Sequence, residues 1–64
     1  MMKFKREVRG RTFAADAEGC GVFELRGGAY SQHRGTAKCF KSGDAFTRYV
    51  RQMLRDGPPA DRRR

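Results

Sequence analysis

The side chains with the usual equipment for metal ligation or nucleophilic attack are Cys20, His33 and Cys39. A structural zinc takes four ligands, commonly supplied as closely spaced pairs. These spacings contain no CxxC or HxxxH pair and no evident fourth donor, so no metal site is expected. A Cys–His nucleophilic pair fails in the same way, because no acid or amide stands ready to orient the imidazole and so short a chain has little volume for a pocket. The plainer readings are that Cys39 is a small core residue and that Cys20, between Gly19 and Gly21, is an exposed turn thiol. His33 reads as a surface residue of a strand, with a phosphate contact as the alternative. No catalytic or cofactor motif is found, and the chain is expected to be neither an enzyme nor a cofactor binder.

What remains is charge. Fifteen Lys and Arg against seven Asp and Glu give +8 and a pI near 10.5 on 64 residues. A surface so positive implies an anionic partner: nucleic acid, an acidic protein surface or anionic lipid. Arg48, Arg51 and Arg55 are spaced by three and four residues, which stacks them along one helical stripe. Arg51 and Arg55 repel mildly unless an anion lies over them; the plain alternative is a solvated face with Asp44 paired to Arg48. A second basic group, Lys5, Arg9, Arg11, Arg26 and His33, falls on alternating strand positions, where Glu7 and Glu24 are the acids. Arg62, Arg63 and Arg64 close the chain as a third. Few aromatics accompany these groups, which favours backbone binding over stacking on single strands.

The elements that must hold these residues can be read in outline. From Ser42 to Gly57, Ala45, Phe46, Tyr49, Val50, Met53 and Leu54 recur at helical spacing opposite Asp44, Arg48, Arg51, Gln52 and Arg55. Ser42 can cap the start, Asp44 and Arg55 suit their ends of the dipole, and Gly57 before Pro58 and Pro59 stops the helix. A lone helix of this length is marginal in water, so a sheet must cover its apolar face. Lys3 to Ala15 reads as one long strand with an irregularity at Gly10, where Phe13 breaks the parity of Phe4 and Val8. Asp16 to Gly21 is turn-like. Gly27-Gly28 is a two-residue hairpin turn joining Val22–Arg26 to Ala29–Arg34. Pairing Arg26 with Ala29 sets Leu25 opposite Tyr30 and Phe23 opposite Gln32, on the face the helix would cover. Thr36 to Phe40 either extends the third strand or forms a short fourth one.

Glu18-Gly19-Cys20-Gly21-Val22-Phe23-Glu24-Leu25 superficially resembles the first consensus strand of the RNA-recognition-motif family. However, Cys20 and Val22 stand where that family places its stacking aromatics, a Glu replaces the basic first position, and the chain is too short for that fold. The strand-strand-strand-helix order is similar to that of the integrase arm-binding DNA-binding domains, which lay a sheet in the major groove. That resemblance is one of fold alone.

The expected architecture is therefore α+β: a three-stranded antiparallel meander, with a short fourth strand as an option, and one C-terminal amphipathic helix packed on one face. Residues 1–57 form a single domain and 58–64 a flexible basic tail. The expected core is Phe4, Val8, Phe23, Leu25, Tyr30, Phe40, Phe46, Tyr49, Val50 and Met53. No apolar run approaches the roughly 20 residues of a membrane span, and the first residues lack the apolar core of a signal peptide. A cytoplasmic setting is expected, and with it free thiols. The expected function is non-enzymatic nucleic-acid binding, DNA or RNA, by grip on the phosphate backbone. The alternative is a small phage or mobile-element type of inhibitor or adaptor that binds an acidic surface of a host nuclease, polymerase or defence complex. An exposed strand edge adds a second copy of the chain to the candidate partners.

Overall fold

The structure is a computed structural model that describes residues 1–33 and 35–57. Its elements are β1 (Lys3–Val8), β2 (Arg11–Ala15), β3 (Phe23–Arg26), β4 (Ala29–Gln32) and α1 (Gly43–Asp56). The strands form one antiparallel sheet in the order β1-β2-β3-β4. This is an α+β fold with four strands rather than three. The expected single strand over Lys3–Ala15 instead folds back on itself at Arg9-Gly10. Those residues have φ of 55° and 74°, the left-handed pair that a two-residue hairpin turn requires. Gly10 is thus half of a turn, and Val8 pairs with Arg11 across it.

The Gly27-Gly28 hairpin has the expected register: Arg26 opposite Ala29, Leu25 opposite Tyr30 and Phe23 opposite Gln32. Its facing is reversed. Phe13, fully buried under α1, pairs with Glu24, so Glu24 lies on the helix side while Phe23 and Leu25 point away from it. Leu25 is exposed and Phe23 and Tyr30 are half-buried. In their place Phe13, Ala15 and Val22 join Val8, Phe40, Phe46, Val50 and Met53 in the core, with Phe4, Tyr49 and Leu54 packed around it. Hydrophobicity favoured Phe23 and Leu25 for the inside. Glu24 displaces them because its charge is fully partnered there.

The helix forms as its sequence requires. The Ser42 hydroxyl accepts the Ala45 amide at 3.2 Å, and the Gly57 amide donates to Met53 at 2.6 Å from a φ of 86° that favours glycine. It packs against β1, where Phe46 lies 6.1 Å from Phe4 and meets Phe40 edge-on at 5.2 Å. Between β2 and β3, the Asp16 carboxylate accepts the Glu18 and Cys20 amides, each at 2.9 Å, and shapes the turn.

After β4 the chain returns to this turn. Buried Thr36 accepts the Val22 amide at 3.2 Å and donates to the His33 carbonyl. Cys39 forms an antiparallel bridge with Cys20, flanked by bonds of 2.8 Å from Gly21 to Lys38 and from Phe40 to Gly19. These bonds leave the two cysteines as a non-hydrogen-bonded pair, the closer kind of antiparallel pair, and they form a disulfide. The expected free thiols are corrected on this point: Cys39 is an exposed bridge residue rather than a core one. The Thr36–Phe40 segment is neither a continuation of β4 nor a fourth strand beside it; it stitches back to the β2–β3 connection. No helix among the described residues is long and apolar enough to cross a membrane.

Candidate nucleic-acid interface

One charged cluster on the helix side is built around Glu24, whose side chain is 6% exposed. Arg11 donates to both carboxylate oxygens, at 2.7 and 2.9 Å, Arg26 donates to Oε1 at 3.1 Å, and His33 Nε2 sits 2.9 Å from the same oxygen. The Arg11 hydrogen bonds, supported by those of His33 and Arg26 against the opposing cost of burial, hold the Glu24 carboxyl down to about 2. The same pairing raises the Arg11 guanidinium above its usual value. Glu24 thus joins Arg11, Arg26 and His33 into one cluster and neutralises part of its positive charge.

The expected basic sheet face therefore does not exist as one patch. Arg9 is in the β1–β2 turn and Lys5 lies in a bulge of β1, where the register shifts between Lys3 and Arg6 and Phe4 takes a φ of 56°. Arg62, Arg63 and Arg64 lie outside the described residues, as does the expected tail.

The helix stripe is present, with Arg48, Arg51 and Arg55 all exposed. Arg55 Nε lies 3.6 Å from Asp56 Oδ1, an exposed contact that contributes little. Arg48 and Arg51 do more than line a solvated face. They share an open cleft of about 490 Å³ with Arg6 of β1, and Glu7, Asp44 and Thr47 complete its walls. Among the described residues, Arg6, Arg48 and Arg51 form no ion pair. The Arg6 guanidinium is set against Gly43 in the first turn of α1, where a side chain would collide with it. A cation at the positive end of a helix is unfavourably placed, and the carboxylates of Asp44 and Glu7 in the same cleft offset that field against the three arginines. With three guanidinium groups against two carboxylates, the cleft keeps an excess positive charge that an anion can meet.

Arg6 was missed in the sequence, although its parity matches Phe4 and Val8, the two residues assigned to the covered face. That match was the available signal. Ligand pockets for cofactors are predominantly apolar, whereas these walls are almost entirely charged or hydroxylic, which suits a phosphate or carboxylate. Among the described residues no group of three or more His, Cys, Asp or Glu is placed to hold a metal ion. In comparisons with known proteins, no family model, curated protein or solved structure matched the chain.

Proposed function

We propose that this protein is a non-enzymatic nucleic-acid binder that grips the phosphate backbone in the cleft between β1 and α1. The observation that carries the reading is the meeting of Arg6 with Arg48 and Arg51 from a different element, without ion-pair partners among the described residues. The bidentate guanidinium fork matches phosphate geometry. Lys3, Lys5, Arg9 and Lys41 are exposed and extend the positive field over a net charge of +8. A cytoplasmic setting belongs to the same proposal; reducing conditions there would open the Cys20–Cys39 bond, so binding is measured with and without reductant.

The test is fluorescence anisotropy of labelled oligonucleotides with the wild type and with a combined Arg6→Ala, Arg48→Ala, Arg51→Ala variant. All three residues are exposed, so the variant should retain its fold by circular dichroism. Binding should weaken about equally on unrelated sequences, as loss of phosphate contacts requires. Unchanged binding would remove the cleft from the interface.

A second reading, docking on a partner protein as an inhibitor or adaptor, is favoured by the sheet surface away from α1, where Leu25 is exposed between half-buried Phe23 and Tyr30. It predicts a complex that survives nuclease and moderate salt, and a complex lost on nuclease treatment would exclude it.

A further inference from the structure

Arg48 borders a second cleft. This one is smaller, about 190 Å³, and is lined by Lys38, Phe40, Ala45, Arg48, Tyr49 and Gln52. At 100° per residue, Asp44, Thr47 and Arg51 flank Arg48 on one side of the helix, and Ala45, Tyr49 and Gln52 flank it on the other. The two clefts therefore lie side by side across α1 with Arg48 as their shared wall.

Their chemistry differs. The first is ionic, while the second combines an aromatic ring, an amide with donors and acceptors, and the flexible cation of Lys38. The Tyr49 ring packs on Phe40 at 5.2 Å, which fixes its plane, and the Lys38 ammonium lies 5.9 Å from its centroid. A cation at that distance is near the outer limit of attraction to a ring, so a planar π-system can take its place while the ammonium turns to a phosphate. Typical drug-sized pockets begin at roughly 300 Å³, so the second cleft has room for one planar ring system and little more.

We propose that a single-stranded nucleic acid crosses α1 at Arg48, with successive backbone phosphates held by Arg6, Arg48 and Arg51 and the adjoining base laid on Tyr49 with its edge toward Gln52. This inference rests on the phosphate-binding reading and adds to it a preference for unpaired strands. A duplex keeps its bases stacked inside and can use only the first cleft, whereas a single strand can use both. The wall is held from behind by the Gly21–Lys38 hydrogen bond and the neighbouring disulfide, so the base site is built before the strand arrives.

The experiment is fluorescence anisotropy of the full chain, without reductant, against a labelled single-stranded DNA 12-mer, its RNA counterpart and the two corresponding duplexes. The expected result is at least about tenfold tighter binding of a single strand than of its duplex, the size of one stacked base. Tyr49→Leu should abolish most of that preference. Gln52→Ala, at an exposed position, should weaken single-strand binding several-fold and leave duplex binding unchanged; it keeps the test decisive if Tyr49→Leu fails to fold. Equal affinity for single strands and duplexes, or single-strand binding indifferent to Gln52→Ala, would overturn the base site. If Arg48→Ala and Arg51→Ala still weakened both forms in that case, the phosphate cleft would stand alone. Binding of none of the four probes would sink both.

Discussion

Replacing Glu24 by Gln should be the most damaging single polar change in the domain, and the structure sets its size. The carboxylate is nearly buried and is held at about 2 against an ordinary value of 4.5 by Arg11, His33 and Arg26. At 1.36 kcal/mol per unit, that shift corresponds to about 3 kcal/mol of stability at neutral pH, an upper figure because the two arginines are 43% and 64% exposed and keep much of their hydration. We take about 2 kcal/mol as the expected loss, which for a domain of this size lowers the midpoint of thermal unfolding by roughly 10 °C. Because the folded value is depressed, the contribution is fully present above about pH 4.5 and disappears as pH falls toward 2. Denaturant unfolding of wild type and Glu24→Gln, each measured from pH 7 to pH 2.5, isolates it from the other carboxylates, which titrate in both. The gap between the two curves should be constant down to about pH 5 and then close. A variant as stable as wild type at pH 7, or a gap undiminished at pH 2.5, would refute the assignment of Glu24 as the partner that fixes Arg11 and Arg26.

Other outcomes follow from the same geometry. Reducing the Cys20–Cys39 bond, or replacing both by Ser, releases a cross-link between residues 19 apart and should cost about 3 kcal/mol by the loop-entropy relation. The same change frees the segment carrying Lys38, so single-strand preference should fall with it; chemical denaturation and anisotropy with and without reductant check the two effects. Arg9→Asn places a residue tolerant of left-handed φ in the β1–β2 turn, where Arg9 has φ 55°. It should raise stability by about 0.5 kcal/mol, and a lower denaturation midpoint would contradict the turn assignment.

The parts of this fold that were legible in the sequence are those fixed by local chemistry. The period of Phe46, Val50 and Met53, the Ser42 cap and the Gly57 stop define α1 without reference to anything else. Gly27-Gly28 sets the β3–β4 register in the same way, because a two-residue turn leaves only one pairing. What was not legible depends on partners distant in sequence. Arg9-Gly10 lacks the Asn-Gly or Gly-Gly signature of a tight turn, and the bulge at Phe4 hides the alternation of β1. The facing of β3 turns on whether Glu24 can be buried, which depends on Arg11 and His33 meeting it. The disulfide is likewise a consequence of Thr36 and Gly21 drawing residues 36–40 back to the β2–β3 turn. For the candidate site, the helical stripe supplied Arg48 and Arg51, while Arg6 required the sheet–helix packing to be brought beside them.

The most direct test of the phosphate cleft is the slope of log affinity against log salt for an oligonucleotide, measured between about 50 and 200 mM for wild type and for Arg6→Ala, Arg48→Ala and Arg51→Ala singly. Three phosphate contacts predict a slope of at least about −2 on a single strand and near −2.7 on duplex DNA, where a fourfold rise in salt costs about 40-fold in affinity. Each single variant should make the slope shallower by roughly 0.7 to 0.9. A wild-type slope near zero, or variants that bind with the wild-type slope and affinity, would contradict the account.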